Sequence, residues 1–476
     1  MTWRLLLPLL VACGAPDAPT APLVDSDTDV STTEEPGPDP VSPEPPDDSA
    51  APSVLITADG TGAYPDIAAA LAAGETHLLL APGDYYIDEA LEITTPGTTL
   101  RGVDRSTSRI IATRNDQDLV ISRADGTTVD NLTLDTELFG AAAFVQAGSH
   151  NTTLSNCTIL GNDRIFTVFF AGPVVTAGDA TLDAWATDAL STGNAMVGND
   201  IRSAFVGDSV VFALQADGVV ENNTVRNGML AIYMTRQVMV RNNLILNSPT
   251  HSLFLSLPSI ETTLSDNDLR GSRYSAISVR PQLEHPMKGR GFLATDIVIA
   301  NNLIESEYTG IEIDGDKGDP TAVQLVAPTL TGNTIALDDF MGIYIIRTVA
   351  PAMIDNTITF FGSDVSRRGV DGRANIASSL SSGIALVLDV PDAVVTENTI
   401  TRELGATDER VMQNAIRLEL DSVTHARIQN NAFVRYTDDW YHAPCSTEGG
   451  PADRDGIYDT TQGSHDVANN TCSVGL

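Results

Sequence analysis

One phrase recurs along this chain: a short apolar run, an Asn-type residue, then one or two further apolar positions. Copies include Val220-Glu221-Asn222-Asn223-Thr224-Val225, Val240-Arg241-Asn242-Asn243-Leu244-Ile245, Ile299-Ala300-Asn301-Asn302-Leu303-Ile304 and Ile354-Asp355-Asn356-Thr357-Ile358. The series starts around Asn131 and ends at Asn470. A period of about 20–25 residues, stretched where loops intrude, marks a stack of coils rather than a compact globule. An Asn at one fixed place in every coil puts equivalent side chains above one another, so their amides are expected to form a hydrogen-bonded ladder. Cys157, in Leu154-Ser155-Asn156-Cys157-Thr158-Ile159, occupies the second Asn position and reads as a buried, inert thiol.

After each Asn turn comes a second strand with a period of two: Ala231-Ile232-Tyr233-Met234-Thr235, Ala276-Ile277-Ser278-Val279-Arg280, Gly310-Ile311-Glu312-Ile313-Asp314 and Gly342-Ile343-Tyr344-Ile345-Ile346-Arg347. The Ile-x-apolar positions point inward and the residues between them point out. Parallel strands stack about 4.8 Å apart, so the outward residues of successive coils form columns on one face. Those columns hold Tyr233, Phe254, Arg280, Glu312, Asp314 and Tyr344, with Arg347 just beyond. The expectation is an all-β, single-stranded parallel β-helix. Longer connections lie near 171–194, 281–295, 315–328, 362–380, 402–412 and 437–462; most are expected to follow this strand and so wall a groove along one side.

The two ends and the charge frame that solenoid. Leu5 to Val11 is a short apolar run behind a single Arg4, too short to span a bilayer and typical of a secretory signal. Leu10-Val11-Ala12-Cys13 resembles the bacterial lipobox, which implies cleavage of residues 1–12 and lipidation of Cys13. Residues 13–52 then form a tether: positions 14–52 hold ten Pro and ten Asp or Glu, with no Lys or Arg. Such a segment cannot bury enough apolar surface to offset its ordering entropy. The reading is an exported outer-membrane or cell-surface lipoprotein, with the β-helix domain over 53–476. A formal charge of −36 excludes nucleic acid, whose phosphates would be repelled. Cys445 and Cys472 are left to staple the last coil as a disulfide, as an oxidising compartment permits.

The start of the domain carries a resemblance. Asp59-Gly60-Thr61-Gly62, the Ala-rich helix at about 66–73, Pro82-Gly83-Asp84-Tyr85 and Thr99-Leu100-Arg101-Gly102 resemble the opening of right-handed β-helix proteins of the pectate-lyase-like superfamily. The helix is expected to cap the first coil, whose edge and core would otherwise be open. The later repeats are similar to the carbohydrate-binding and sugar-hydrolase repeats of that group. The resemblance implies a polysaccharide or cell-surface glycan as partner, and a lyase or hydrolase if the protein is an enzyme. It fixes fold far better than activity. Asp338-Asp339 is similar to the paired acids of polygalacturonases, but the accompanying Gly-His-Gly and Arg-Ile-Lys elements are absent.

Within the columns, Glu312 and Asp314 sit two apart on one strand, so their carboxylates share a face. Arg280 is expected one coil from Asp314, and Tyr344 one coil from Glu312. Two carboxylates with an Arg suit acid–base work on a sugar, with Arg280 holding a carboxylate or steadying developing charge. Tyr233, Phe254 and Tyr344 offer rings for stacking on sugars, with Arg347 and His285 beside them. The turn Asp314-Gly315-Asp316-Lys317-Gly318-Asp319 crowds Asp314, Asp316 and Asp319 in the manner of a Ca²⁺ loop, without the spacing of an EF-hand. The opposing expectation is a non-catalytic surface scaffold, with these charges forming an ordinary ion-pair ladder.

Overall fold

The computed structural model describes residues 53–474 apart from 116, 138–141, 163–165, 174–178, 204–206, 282–289, 316–322, 338–339, 362–381, 403–413, 420–422, 436–452, 455–456 and 460–464. The signal, the tether, Cys13, His285, Asp316, Asp319, the Asp338-Asp339 pair and Cys445 therefore lie outside the described residues.

Each coil contributes three strands, one to each of three long sheets of 15, 14 and 14 strands, and neighbouring coils pair in parallel throughout. This is a right-handed parallel β-helix. A representative coil runs from Val219–Glu221 in the first sheet, through the Asn222-Asn223 turn, to Thr224–Arg226 in the second and Met229–Tyr233 in the third. The sequence pattern merged the last two into one strand. The second-sheet strand is only three residues long, so a single inward residue, Val225, marks it, too few to show a period.

The Asn turn explains itself at the level of the backbone. Its first residue is left-handed, with φ of 56° at Asn222, 53° at Asn242 and 55° at Asn301, a conformation Asn tolerates better than most residues. Its second residue points into the solenoid and builds the ladder. The backbone N–H and the Nδ2 of Asn223 both donate to Oδ1 of Asn243, each at 3.0 Å, while a further Nδ2 bond reaches the Met196 carbonyl at 2.9 Å. The same pattern runs from Asn199 to Asn470. Every amide it buries is thereby satisfied, which is what makes a polar spine tolerable in an apolar core. Cys157 takes the next place toward the N-terminus: its N–H donates to Oδ1 of Asn199 at 3.0 Å. Burial pushes its thiol up to about 12, so it is a poor nucleophile.

At the N-terminal end, a helix spans Ile67–Ala72. Asp66 caps it by accepting from the Ala69 N–H at 2.7 Å, and Gly74, at φ 84°, lets the chain turn away. Ile67 and Ala70 are buried in the same core cluster as Ile56 and Leu78 of the first coil. The helix thus covers apolar surface that the next coil would cover elsewhere in the stack.

The long connections do not all leave from one edge. Those near 172–190, 282–291 and 315–322 follow third-sheet strands, as expected. Those after Phe360, Arg402 and Arg435 instead leave the second sheet and precede third-sheet strands. In sequence, then, the long connections either follow or precede third-sheet strands.

Candidate functional site

The third sheet is unlike the other two. In the first and second sheets the residues flanking each buried position are mostly part-exposed or exposed, as in Val219–Glu221, Thr224–Arg226 and Thr329–Thr331. In the third sheet, Asp208–Ala213, Met229–Tyr233 and Leu253–Leu257 are buried on both faces. The outward side chains are thus covered, and several of them are polar.

Register fixes the columns. Phe254 pairs with Ser278, Ser278 with Glu312, Glu312 with Tyr344, Tyr344 with Ala385 and Ala385 with Arg417. The next column holds Tyr233, Ser256 and Arg280, and further along Asp314, Ile346, Val387 and Glu419. Glu312 and Tyr344 are direct neighbours in this lattice.

One sequence expectation needs correcting. Phe254 is 0% exposed and Tyr233 only 4%, their rings packed 5.7 Å apart in a second apolar cluster on the outer face. Neither ring face is open for stacking on a sugar in this structure. Arg280 and Asp314 lie one coil apart on paired strands, as expected, and both oxygens of Asp314 accept from Arg347, at 3.0 and 2.6 Å. Arg347 reaches back because it is itself left-handed, at φ 47°, and so ends its strand at the corner. That clamp engages both carboxylate oxygens of Asp314. No grouping of three metal-ligating side chains occurs among the described residues. Of Cys472, the strand backbone lies opposite Phe433.

The groups that the alternation did not flag are the more telling ones. Asp208, at the start of its strand, takes a hydrogen bond on Oδ2 from the Tyr233 hydroxyl. Its Oδ1 is buried with no partner among the described residues. Burial raises this carboxyl to about 6, against the lowering effect of the Tyr233 bond. His251 lies just before the strand that carries Phe254. Its Nδ1–H donates to the Ser275 carbonyl at 3.2 Å, which leaves the lone pair on Nε2, 3.4 Å from Nη2 of Arg280. Burial, and then the Arg280 charge, lower His251 to about 4, so the ring is neutral near pH 7.

Phe254 ties these groups together: Tyr233 packs on it, His251 lies 6.1 Å from its centroid, and Arg280 sits over its face at 5.6 Å. On the next coil, Glu312 accepts from the Ser275 hydroxyl at 2.7 Å. Burial raises the Tyr344 hydroxyl, and the Glu312 charge adds to the effect. Farther along, Arg417 pairs with Glu419 at 2.6 Å. Asp208 and His251 escaped the sequence reading because each lies at a strand start, where the alternation breaks. The Asp208 strand even shifts register between Asp208 and Val210.

No protein-family model matches the chain. None of the curated proteins matches it either. Solved structures do. The A-module of the mannuronan C-5 epimerase AlgE6 of Azotobacter vinelandii is 12% identical, with a TM-score of 0.55 over 86% of this chain and 94% of that one. The A-module of AlgE4 from the same organism is 13% identical, with a TM-score of 0.45 over 86% and 93%. The catalytic domain of a GH87 alpha-1,3-glucanase is 13% identical, with a TM-score of 0.42 over 88% and 71%. The first of these likenesses shows the shared fold. At such identity it transfers no residue's role.

Proposed function

We propose that this protein is an exported lipoprotein whose third-sheet face binds a polysaccharide and acts on it chemically. One observation carries the reading: Asp208, Tyr233, His251, Arg280, Glu312 and Tyr344 gather on the outer face of one sheet of three, largely withdrawn from water. Burying ionisable groups costs stability unless each is fully paired, and a hydrophobic face would have served the fold better. Asp208, His251 and Tyr344, whose proton affinities burial shifts, collect on this surface, as proton-transfer chemistry requires. The epimerase module that shares the fold acts on a polysaccharide, mannuronan, which agrees with this reading.

In this proposal Glu312, beside Tyr344 and the Ser275 hydroxyl, is the acid or base nearest the part-exposed end of the site. Asp208 with Tyr233 and neutral His251 form the inner group. Asp314 serves through its clamp on Arg347, by fixing the rim. The lipid on Cys13 and the acidic tether would hold the solenoid away from the envelope.

The test is a glycan array followed by reducing-end and unsaturated-product assays, with and without Ca²⁺. Binding to at least one polymer, with product formation that Glu312→Gln cuts by about 100-fold or more, is expected. No binding and no products across neutral and acidic polymers would end the reading. Undiminished product formation by Glu312→Gln would remove Glu312 from the machinery. For the anchor, fatty-acid labelling of the expressed protein should vanish in Cys13→Ala; label retained there would refute lipidation at Cys13.

A specific observation favours a second reading. The Asp314–Arg347 and Arg417–Glu419 pairs agree with the ion pairing expected of a non-catalytic scaffold. Binding without products under all conditions would support it.

A further inference from the structure

We propose that the first sheet is a pairing face, through which two copies of this chain associate side by side about a two-fold axis parallel to the solenoid.

The argument starts from where charge is missing. The chain has 63 acidic and 27 basic residues, a net charge of −36. Yet across nine neighbouring first-sheet strands, from Thr153–Ser155 to Val394–Thr396, the only charged outward side chains are Glu221 and Arg241. Those two neutralise each other at 2.6 Å. The second-sheet strands of the same coils carry Asp200, Arg202, Arg226, Asp268, Arg270 and Glu305. In place of charge, the first sheet presents part-exposed Val197, Val219, Val298, Ile354 and Val394, with Met239 41% exposed among them. Loss of charge around apolar side chains is the composition of an interface core.

The face is also flush and large enough. Every turn from these strands to the second sheet is the two-residue Asn turn, so no inserted connection rises along that edge. Nine strands about 4.8 Å apart, each about 10 Å long, make roughly 400 Å², and the flanking turns bring this to roughly 500 Å². Two such faces bury roughly 1,000 Å² together, the lower bound for specific pairing and the size of a concentration-dependent dimer.

Charge and shape select a second copy as the occupant. Two rods of charge −36 repel wherever their net charge meets, and this neutral face is where they approach at least cost. A two-fold axis along the solenoid reverses the strands but keeps the coil order, so each coil meets its own equivalent. Val298 then faces Ala300 of the second copy, Ile354 faces Ala352, and Val197 faces Ala195, a large side chain against a small one each time. Both N-termini leave from the same end, as the lipid-anchor reading requires of two copies on one envelope. Exposed acids stand at the corners: Glu261 and Asp266 around the Thr263 strand, Asp392 and Glu397 around the Val394 strand. They approach their counterparts in the pair, so the dimer should tighten as salt screens them, the reverse of an ion-paired interface.

The experiment is sedimentation equilibrium of the full chain, with Cys13→Ala so that no lipid drives association. Between about 1 and 100 µM protein, at about 0.15 M NaCl, a monomer–dimer equilibrium with Kd on the order of 10 µM is expected. Lowering NaCl to about 0.01 M should weaken it by about 10-fold. Val298→Glu with Thr329→Glu should leave single chains throughout, and Met239→Lys, a milder change, should weaken pairing by about 10-fold or more. Thr334→Glu with Thr357→Glu, the same charge change at exposed second-sheet positions, should leave Kd within about 3-fold. Circular dichroism melts report whether each variant is folded. A single-chain mass across the whole range, a mass of three or more chains, association that weakens as salt rises, or pairing that survives both first-sheet changes would overturn the proposal. Each of those results leaves the glycan reading of the third sheet untouched.

Discussion

At the scale of single residues, Asp208 offers the sharpest test. Its carboxyl is raised to about 6 in the fold, above the ordinary value near 4 for an unfolded chain. The folded state therefore favours the protonated form, and this contribution is complete below about pH 4 and lost as pH rises through about 6. A two-unit shift is worth on the order of 3 kcal/mol. Asp208→Asn, which stays neutral and can still accept from Tyr233, should flatten that part of the stability curve. Urea midpoints measured from pH 4 to 7 on both proteins would show it, and an unchanged difference between them across that range would refute it. The outward phase of Arg280, Glu312 and Tyr344 was legible because each lies inside an unbroken alternation. Asp208 and His251 were not, because their roles come from where a strand begins, and a period of two says nothing about that. Nor did alternation reveal that Tyr233 and Phe254 are covered: it tells inward from outward, not exposed from buried.

Among the elements, the Asn spine was the most legible feature, and it supports two predictions. Asn243→Ala removes the acceptor for the Asn223 N–H and Nδ2 and the donor to the Val220 carbonyl. Leaving those buried groups unsatisfied should cost about 3–5 kcal/mol, read as a loss in urea midpoint; a cost below about 1 kcal/mol would show that the ladder is incidental. Cys157→Asn should have the opposite sign. The Cys157 sulfur already lies 3.1 Å from the Ser155 carbonyl, where the other coils place Nδ2, and the Leu132 N–H points to it as others point to Oδ1. An amide there should make stronger bonds and raise stability by about 1 kcal/mol; destabilisation would mean that the site lacks room for it. The sequence did not reveal the short second-sheet strand. One or two inward residues per coil cannot announce an element whose support comes from coils that are distant in sequence.

For the whole molecule, the excess of 63 acidic over 27 basic residues sets the long-range energetics. Like charges spread over an elongated surface repel, and the Debye length falls from about 30 Å at 0.01 M salt to about 10 Å at 0.1 M. Raising NaCl across that range should therefore lift the melting temperature by several degrees. A flat response would show that the many surface Arg–carboxylate pairs already cancel the repulsion. The overall architecture could be read from a period and a few turn residues because a solenoid is specified coil by coil, each contacting only its neighbours. Which strands the long connections leave could not, because those connections follow no repeat.

The ladder also has a direction. Each ladder amide from Asn199 to Asn431 receives on its oxygen from the coil before and donates from its nitrogen to the coil after. Small dipoles aligned head to tail add, as they do along an α-helix. The solenoid therefore carries a polar axis through its dry interior, negative toward the capped end and positive toward Asn470. A coil inserted in the same sense would lengthen this axis without a fault. One stacked in the reverse sense would set oxygen against oxygen, so growth of such a chain by duplication can proceed in one orientation only.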